Sequence, residues 1–323
     1  MTSGKTAVRP VSAAGSARGG KRMARLWRHR SLLLMCAPAI VFFLIFAYLP
    51  MPGLYLAFIQ FNYADGIFRS PFVGWDNFRF LVMTGDLWKL TFNTVAYNLA
   101  FIVLGNLLQV LVAVLLNEIR RKWFKKVTQT IMFLPFFISP VLIGLLAYNI
   151  LSYDYGLLNQ WIQSFGGEPV QTYSNPYVWP YIIVFTFLWQ MTGYGSIIYF
   201  AAIMGLDSEI VEAAEIDGAN ALQRIRYIIL PWLKPTFIIL LLFSLGGVLK
   251  GNFGLFYNLV GANNTALYST TDIIETYVFR SLMVHFNFSM GSAVSLYQSV
   301  FGFAIVVTAN WLVKKISPEN SLF

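Results

Sequence analysis

Lys250 is the residue of this sequence with the sharpest chemical meaning. It lies in Ser244-Leu245-Gly246-Gly247-Val248-Leu249-Lys250-Gly251-Asn252-Phe253-Gly254, in a window that is otherwise uncharged over 236–271. An ammonium group in a low-dielectric setting must be hydrated, paired, or available to an anion. Four glycines in nine residues around it loosen a helix and let backbone or ligand approach closely. Gly247 and Gly251 also have the small-xxx-small spacing of packed helices. Two readings stay open: a cation facing a cavity and attracting a carboxylate, or a side chain that reaches an interface or pairs with another chain.

The second chemical concentration is Glu212-Ala213-Ala214-Glu215-Ile216-Asp217-Gly218-Ala219, followed by Ile228-Ile229-Leu230-Pro231. Beyond these two places the chain offers little reactive chemistry. Cys36 is the single cysteine, so no disulfide is implied, and His285 reads as a surface residue of an outer loop. No Cys or His cluster suggests a metal. Acidic residues outside the hairpin are scattered: Asp65, Asp76, Asp86, Glu118, Asp154, Glu168, Asp272, Glu275 and Glu319. Gly4-Lys5-Thr6 imitates the end of a phosphate loop but lacks its upstream glycine, strand and helix, so the chain is not expected to bind ATP or any other cofactor itself.

The elements that must position these groups belong in a membrane. The chain is 57% hydrophobic and 11% charged, against about 25% charged in an ordinary soluble domain. Windows free of Asp, Glu, Lys and Arg cover 31–59, 91–117, 127–153, 170–206 and 281–313, and a sixth, 236–271, is broken only by Lys250. A bilayer core needs about 20 helical residues per crossing, so each window holds one span. An all-α integral membrane protein with six transmembrane helices is predicted.

The formal charge of +9 does not mean nucleic acid. Eight of the 23 basic residues precede Ser31, five fall within 120–126, Arg224, Arg226 and Lys234 follow the Glu-Ala-Ala segment, and Lys314 and Lys315 follow the last span. Eighteen thus lie on one set of alternating segments, which marks the cytoplasmic side and puts both termini there. Residues 1–30, rich in Gly, Ser, Ala and basic residues, read as a disordered cytoplasmic tail ahead of a permeating domain over 31–323. The first apolar run is too long for a cleaved signal segment and has no Ala-x-Ala site after it. Pro38, Pro50 and Pro52 are expected to kink or unwind its outer part.

The inner hairpin, 207–235, reads as two helices. Asp207 and Ser208 suit an N-cap, and Glu209 and Glu212 favour the positive end of a helix. Asp217-Gly218 breaks it, and a second helix from about Ala219 is expected to stop at Pro231, with Pro235 sealing the turn into the fifth span. Ile210, Val211, Ala213, Ala214, Ile216 and Ala219 are too apolar for a loop facing only water, so a protein partner is expected on them.

Glu212-Ala213-Ala214, Gly218, Ile228 and Leu230-Pro231 together match, with the spacing intact, the signature of the membrane permease subunits of ATP-binding-cassette importers, and the chain resembles that family from about residue 30 onward. The extended form Glu212 to Ala219, the stretches Pro50-Met51-Pro52-Gly53 and Phe72-Val73-Gly74-Trp75-Asp76-Asn77-Phe78, and the ending Ser317-Pro318-Glu319-Asn320-Ser321-Leu322-Phe323 are similar to the oligo- and polysaccharide branch, most of all to alginate-importer permeases. The resemblance implies a type I permease fold in a bacterial inner membrane and a second homologous permease chain. It also implies two ATPase subunits that bind ATP and Mg, and a periplasmic solute-binding protein. It gives Glu212, Ala213, Ala214, Asp217, Gly218, Ile228, Leu230 and Pro231 to ATPase coupling: Glu212 meets a basic group, the alanines pack in a groove, and Gly218 permits the turn.

A saccharide cargo needs flat rings and amides as well as any charge. Trp189, Gln190 and Tyr194, and Asn252 and Tyr257 near Lys250, are the candidates for its path. Asn98, Asn106, Gln109, Asn149 and Gln298 are further amides, most of them suited to helix-to-helix hydrogen bonds. Lys250 favours an acidic saccharide, with a neutral sugar or polyol as the alternative. An integral membrane transferase is the rival of another class, and it would want Asp, Glu or His clustered at a membrane face.

Overall fold

The computed structural model describes residues 30–261 and 263–316. The tail expected over 1–30, apart from Arg30, and the ending 317–323 lie outside the described residues. Among the described residues every regular element is a helix, and extended backbone pairs only in one antiparallel bridge, Ile59 with Phe72. Five helices are long and apolar enough to cross a membrane: Leu34–Phe58, Asp86–Glu118, Pro176–Met204, Ala221–Leu245 and Phe288–Trp311. A bent pair, Lys122–Phe137 and Pro140–Leu151, makes a sixth when counted as one span.

Packing divides the chain between Tyr55 and Leu56. In the first part, α1 (Arg30–Phe43) carries Pro38 inside it and passes into a π-helical turn, Leu44–Tyr48. Past Pro50 the winding tightens to a 3-10 helix, Met51–Phe58. Prolines that remove donors at 50 and 52 explain why regular α-helix ends there. Its apolar side chains, Phe42, Phe43 and Phe46 among them, are exposed, as suits lipid rather than water.

The second part is built on α2 (Asp86–Glu118), α3 (Lys122–Phe133), α4 (Pro140–Leu151), α5 (Trp179–Met204), the hairpin helices α6 (Ser208–Ile216) and α7 (Ala221–Arg224), α8 (Leu230–Leu245), α9 (Phe253–Val260), α10 (Ile274–Met283) and α11 (Phe288–Ile316). Helices α2 and α5 pack along each other, α4 against α9, and α10 against α11. One core joins Tyr97, Phe101, Trp179, Ile183, Phe256 and Leu259, with Phe101 stacked on Phe187 at 3.9 Å between centroids. A second gathers Leu90, Ile102, Val248, Leu249, Ile274 and Val294. The third, Leu116, Tyr199, Phe200, Ile203, Ile229 and Leu233, roots the hairpin in spans two, four and five. Two buried polar side chains pair inside the bundle: Tyr199 Oη donates to Asn106 Oδ1 at 2.7 Å, and Asn106 Nδ2 donates to Ile102 O at 2.7 Å.

Three elements differ from the sequence expectation, each through proline or glycine. The third span is bent by 95°. Pro140 forces Ser139 into extended backbone, ψ 150°, and Ser139 Oγ accepts from Leu142 N at 3.4 Å to restart the helix. The hairpin's second helix does not stop at Pro231. A π-helical turn, Ile225–Ile229, precedes it, so Leu230 N–H reaches Ile225 O. Pro231 then takes a first-turn position, where a missing donor is tolerated, and Pro235 also stays inside α8. The fifth span therefore runs Ala221–Leu245 instead of starting at Thr236. It ends in turns at Gly246 and Gly247, well before the polar stretch expected to end it.

Candidate coupling hairpin and cavity

Local rules shape the hairpin. Asp207 Oδ1 accepts from Glu209 N at 3.0 Å and opens α6. Gly218 has φ +82°, a left-handed angle that a side chain resists, and turns the chain after Asp217. Asn220 and Gln223 form a reciprocal capping box at 2.8 and 2.9 Å, which sets the start of α7 at Ala221, two residues later than the sequence suggested. Glu212 and Ala213 are exposed and Ala214 is half-buried. Ile210, Ile216, Leu222 and Tyr227 expose large apolar surface nearby. A hollow of about 360 Å³ lies between the hairpin arms, lined by Ala214, Gly218, Ala219, Gln223, Tyr227 and Ile228 among others. Within the Ile-Ile-Leu-Pro run it is Ile229 that enters the core, while Ile228 is half-buried and Leu230 and Pro231 are exposed.

One arm is fastened by a residue the sequence reading did not single out. The Arg224 guanidinium lies 3.1 Å from Glu215 Oε1 on α6 and 3.4 Å from Glu118 Oε2 at the end of α2. Arg224 is largely buried, so this network is held more firmly than an ordinary surface pair.

Where the fifth span ends, Lys250 is exposed and lines a cavity of about 530 Å³ together with Glu275, Gln298, Ser299, Gly302 and Phe303. Leu249 O accepts from Gln298 Nε2 at 2.6 Å, and the same amide nitrogen donates to Glu275 Oε1 at 2.6 Å. Gly251 N–H also donates to that oxygen, at 2.5 Å. Gln298 of α11 and Glu275 of α10 thus hold the break after α8. Glu275 lies between the spans, and burial raises its carboxyl above its ordinary value against the opposing hydrogen bonds and the charge of Lys250. Two of the scattered polar residues, Glu275 and Gln298, are therefore brought to Lys250 by the fold. No spacing signal in the sequence linked them.

The other path candidates are dispersed. Asn252 caps α9, its Oδ1 accepting from Leu255 N at 3.2 Å. Tyr257 stacks on Phe253 with centroids 5.0 Å apart and lines a small cavity beside Asp272 and Arg280. Those two form an ion pair at 2.6 Å, with Arg280 lying 4.1 Å above the Tyr268 ring. Gln190 is buried and donates to Ile138 O at 3.0 Å, pairing a carbonyl freed by the break in span three. Tyr194 stacks on Phe136 at 4.3 Å, and Trp189 lines a separate apolar cavity of about 430 Å³ against Met132 and Pro135. Among the described residues no group of His, Cys, Asp and Glu could hold a metal ion.

Known proteins share this architecture. Residues 105–318 match the family described as binding-protein-dependent transport system inner membrane component. Protein LplB of Bacillus subtilis (strain 168) is 33% identical over 311 residues, covering 96% of this chain and 96% of its own. The polygalacturonan/rhamnogalacturonan transport system permease protein YteP of the same strain is 33% identical over 296 residues, with 92% and 91% covered. A chain in the crystal structure of a bacterial ABC transporter involved in the import of the acidic polysaccharide alginate superposes with TM-score 0.83 at 31% identity, covering 92% of this chain and 99% of that one. The chain belongs to the family of inner membrane components of binding-protein-dependent transport systems: it is a permease subunit with the type I fold of ABC importers, a transport protein and not an enzyme.

Proposed function

We propose that this chain forms half of the translocation pathway for an acidic oligo- or polysaccharide such as alginate, across a bacterial inner membrane. A second homologous permease completes the pathway, and two ATPase subunits, which bind ATP and Mg, drive it. A periplasmic solute-binding protein delivers the cargo. Both termini face the cytoplasm, in keeping with the basic residues of the inner segments. ATP-driven closure of the ATPases moves the coupling hairpins together and turns the paired permeases from inward-facing to outward-facing, so the site alternates between the two sides.

The observation that carries the substrate class is Lys250, a cation exposed to a cavity of about 530 Å³ where the fifth span breaks. Among the described residues no carboxylate lies within 4.0 Å of its ammonium. Such a charge is available to a ligand carboxylate, and its field raises the local concentration of anions. The alginate and polygalacturonan in the names of the relatives are polymers of uronic acids, in accord with that charge.

Lys250→Met keeps most of the side-chain length and removes the charge. In the complex reconstituted with its ATPases and binding protein, it is expected to reduce uptake of oligouronates about tenfold or more, while assembly stays intact. Collapse of assembly with no selective loss for acidic over neutral sugars would instead make Lys250 a structural partner of another chain and favour a neutral sugar or polyol as cargo.

A further inference from the structure

The Glu275 carboxyl is satisfied on one side only. Gly251 N–H and Gln298 Nε2 both donate to Oε1, at 2.5 and 2.6 Å. Oε2 is buried and has no hydrogen-bond partner among the described residues. A buried carboxylate oxygen with no donor is costly, so a state of the protein that supplies one is favoured. Chain geometry puts one donor within reach. The Lys250 Cα is about 2.4 Å from Gly251 N by standard bond lengths, which puts it within about 5 Å of Glu275 Oε1. A lysine side chain with four methylenes covers that distance. Lys250 is nevertheless exposed, lines the cavity and makes no ion pair with Glu275 in the state described.

Resting on the reading of Lys250 as the cavity cation, we infer that Glu275 is its internal counter-ion, which the carboxylate of an acidic saccharide displaces. In the open cavity the ammonium faces the ligand. When the saccharide leaves and the walls close, Lys250 turns back to Glu275 Oε2. Without that exchange, closure would strand an unpaired cation and an unpaired anion in a dry interior, which is costly for both. Lys250 and Glu275 are the charged groups of this cavity; the α11 residues facing them, Gln298, Ser299, Gly302, Phe303 and Val306, carry no charge, and neither do Gly246 and Leu249. The exchange makes Glu275 a specificity-determining residue. A neutral ligand has nothing with which to replace it, and its return promotes release.

The test is a double-substitution cycle in the full complex, reconstituted with ATPases and binding protein, with oligogalacturonate and oligomannuronate as acidic probes and a malto-oligosaccharide as neutral probe. Glu275→Gln keeps the shape and an oxygen that can accept from Gly251 and Gln298. It is expected to lower KM for the acidic probe and lower kcat with it, because release slows, and to make free galacturonate an inhibitor. In the Lys250→Met background the same change is expected to do little, a coupling of about fivefold or more. Equal losses of kcat in both backgrounds, with KM unchanged, would show that Glu275 only fastens the break of span five to α11, while a selective Lys250→Met defect left the substrate reading standing. If the unsubstituted complex takes up neither oligouronate, or Lys250→Met does not discriminate acidic from neutral probes, the substrate reading falls and this inference falls with it.

Discussion

Arg224 and Glu118 meet at 3.4 Å, joining the short second helix of the hairpin to the C-terminal end of α2. The same guanidinium holds Glu215 at 3.1 Å, so one side chain bridges α6 and the end of span two. Arg224→Met keeps the aliphatic stem and removes both pairs. Thermal stability should fall by about 1 kcal/mol or less, but ATPase stimulation by substrate should drop much further than stability. Hydrolysis rates in reconstituted complexes with and without loaded binding protein check this, and unchanged stimulation would show that the pairs transmit nothing.

Gly218 holds φ +82° with open space around its Cα, so strain and not crowding governs substitution there. Gly218→Val places a β-branched residue at an angle it resists, at about 1–3 kcal/mol. The complex is expected to assemble with a misplaced α6 and to lose coupled transport. Gly218→Asn, which tolerates the left-handed region, should retain most of it. Comparable uptake by both variants would rule the turn out as a coupling element.

Glu212 is exposed on α6 beside exposed apolar neighbours, Ile210 and Ile216. Glu212→Lys is expected to repel a basic group of the ATPase, with like charges in a partly buried contact costing about several kcal/mol. Co-purification of the ATPase subunits should weaken, and raised salt should restore part of it, since screening eases repulsion. A variant complex that keeps its ATPases and transports normally would leave Glu212 as a helix-start charge only.

Tyr199 is fully buried and donates to Asn106, linking α5 to α2 inside the third core. Tyr199→Phe leaves Asn106 Oδ1 without that donor, a loss of about 1–3 kcal/mol. The melting temperature of the detergent-solubilised complex should fall, with KM for substrate unaffected. A change in KM at constant stability would place Tyr199 in the path itself.

Periodicity and composition made the membrane class and the number of spans legible, because apolar length is a local property that the bilayer reads directly. The shape of the hairpin was legible too: a left-handed glycine, an acidic helix start and a capped turn are each set by a few consecutive residues. The breaks were harder. Pro140 ends a helix where the sequence suggested a continuous span, yet Pro231 and Pro235 do not end theirs. The difference is a π-helical turn ahead of Pro231, which no local rule announced.

The polar interior lay beyond the sequence for the same reason. By itself the chain determined that Lys250 is a cation in apolar surroundings, and that the Glu-Ala-Ala segment lies in a helix that a glycine turn ends. Only tertiary structure decided which of the scattered acids stand beside these groups. Glu275 bonds to Gly251 across 24 residues, and Arg224 to Glu118 across 106. Such pairings depend on where helices cross, and crossing is fixed by the fit of whole faces, not by the spacing of the residues that meet.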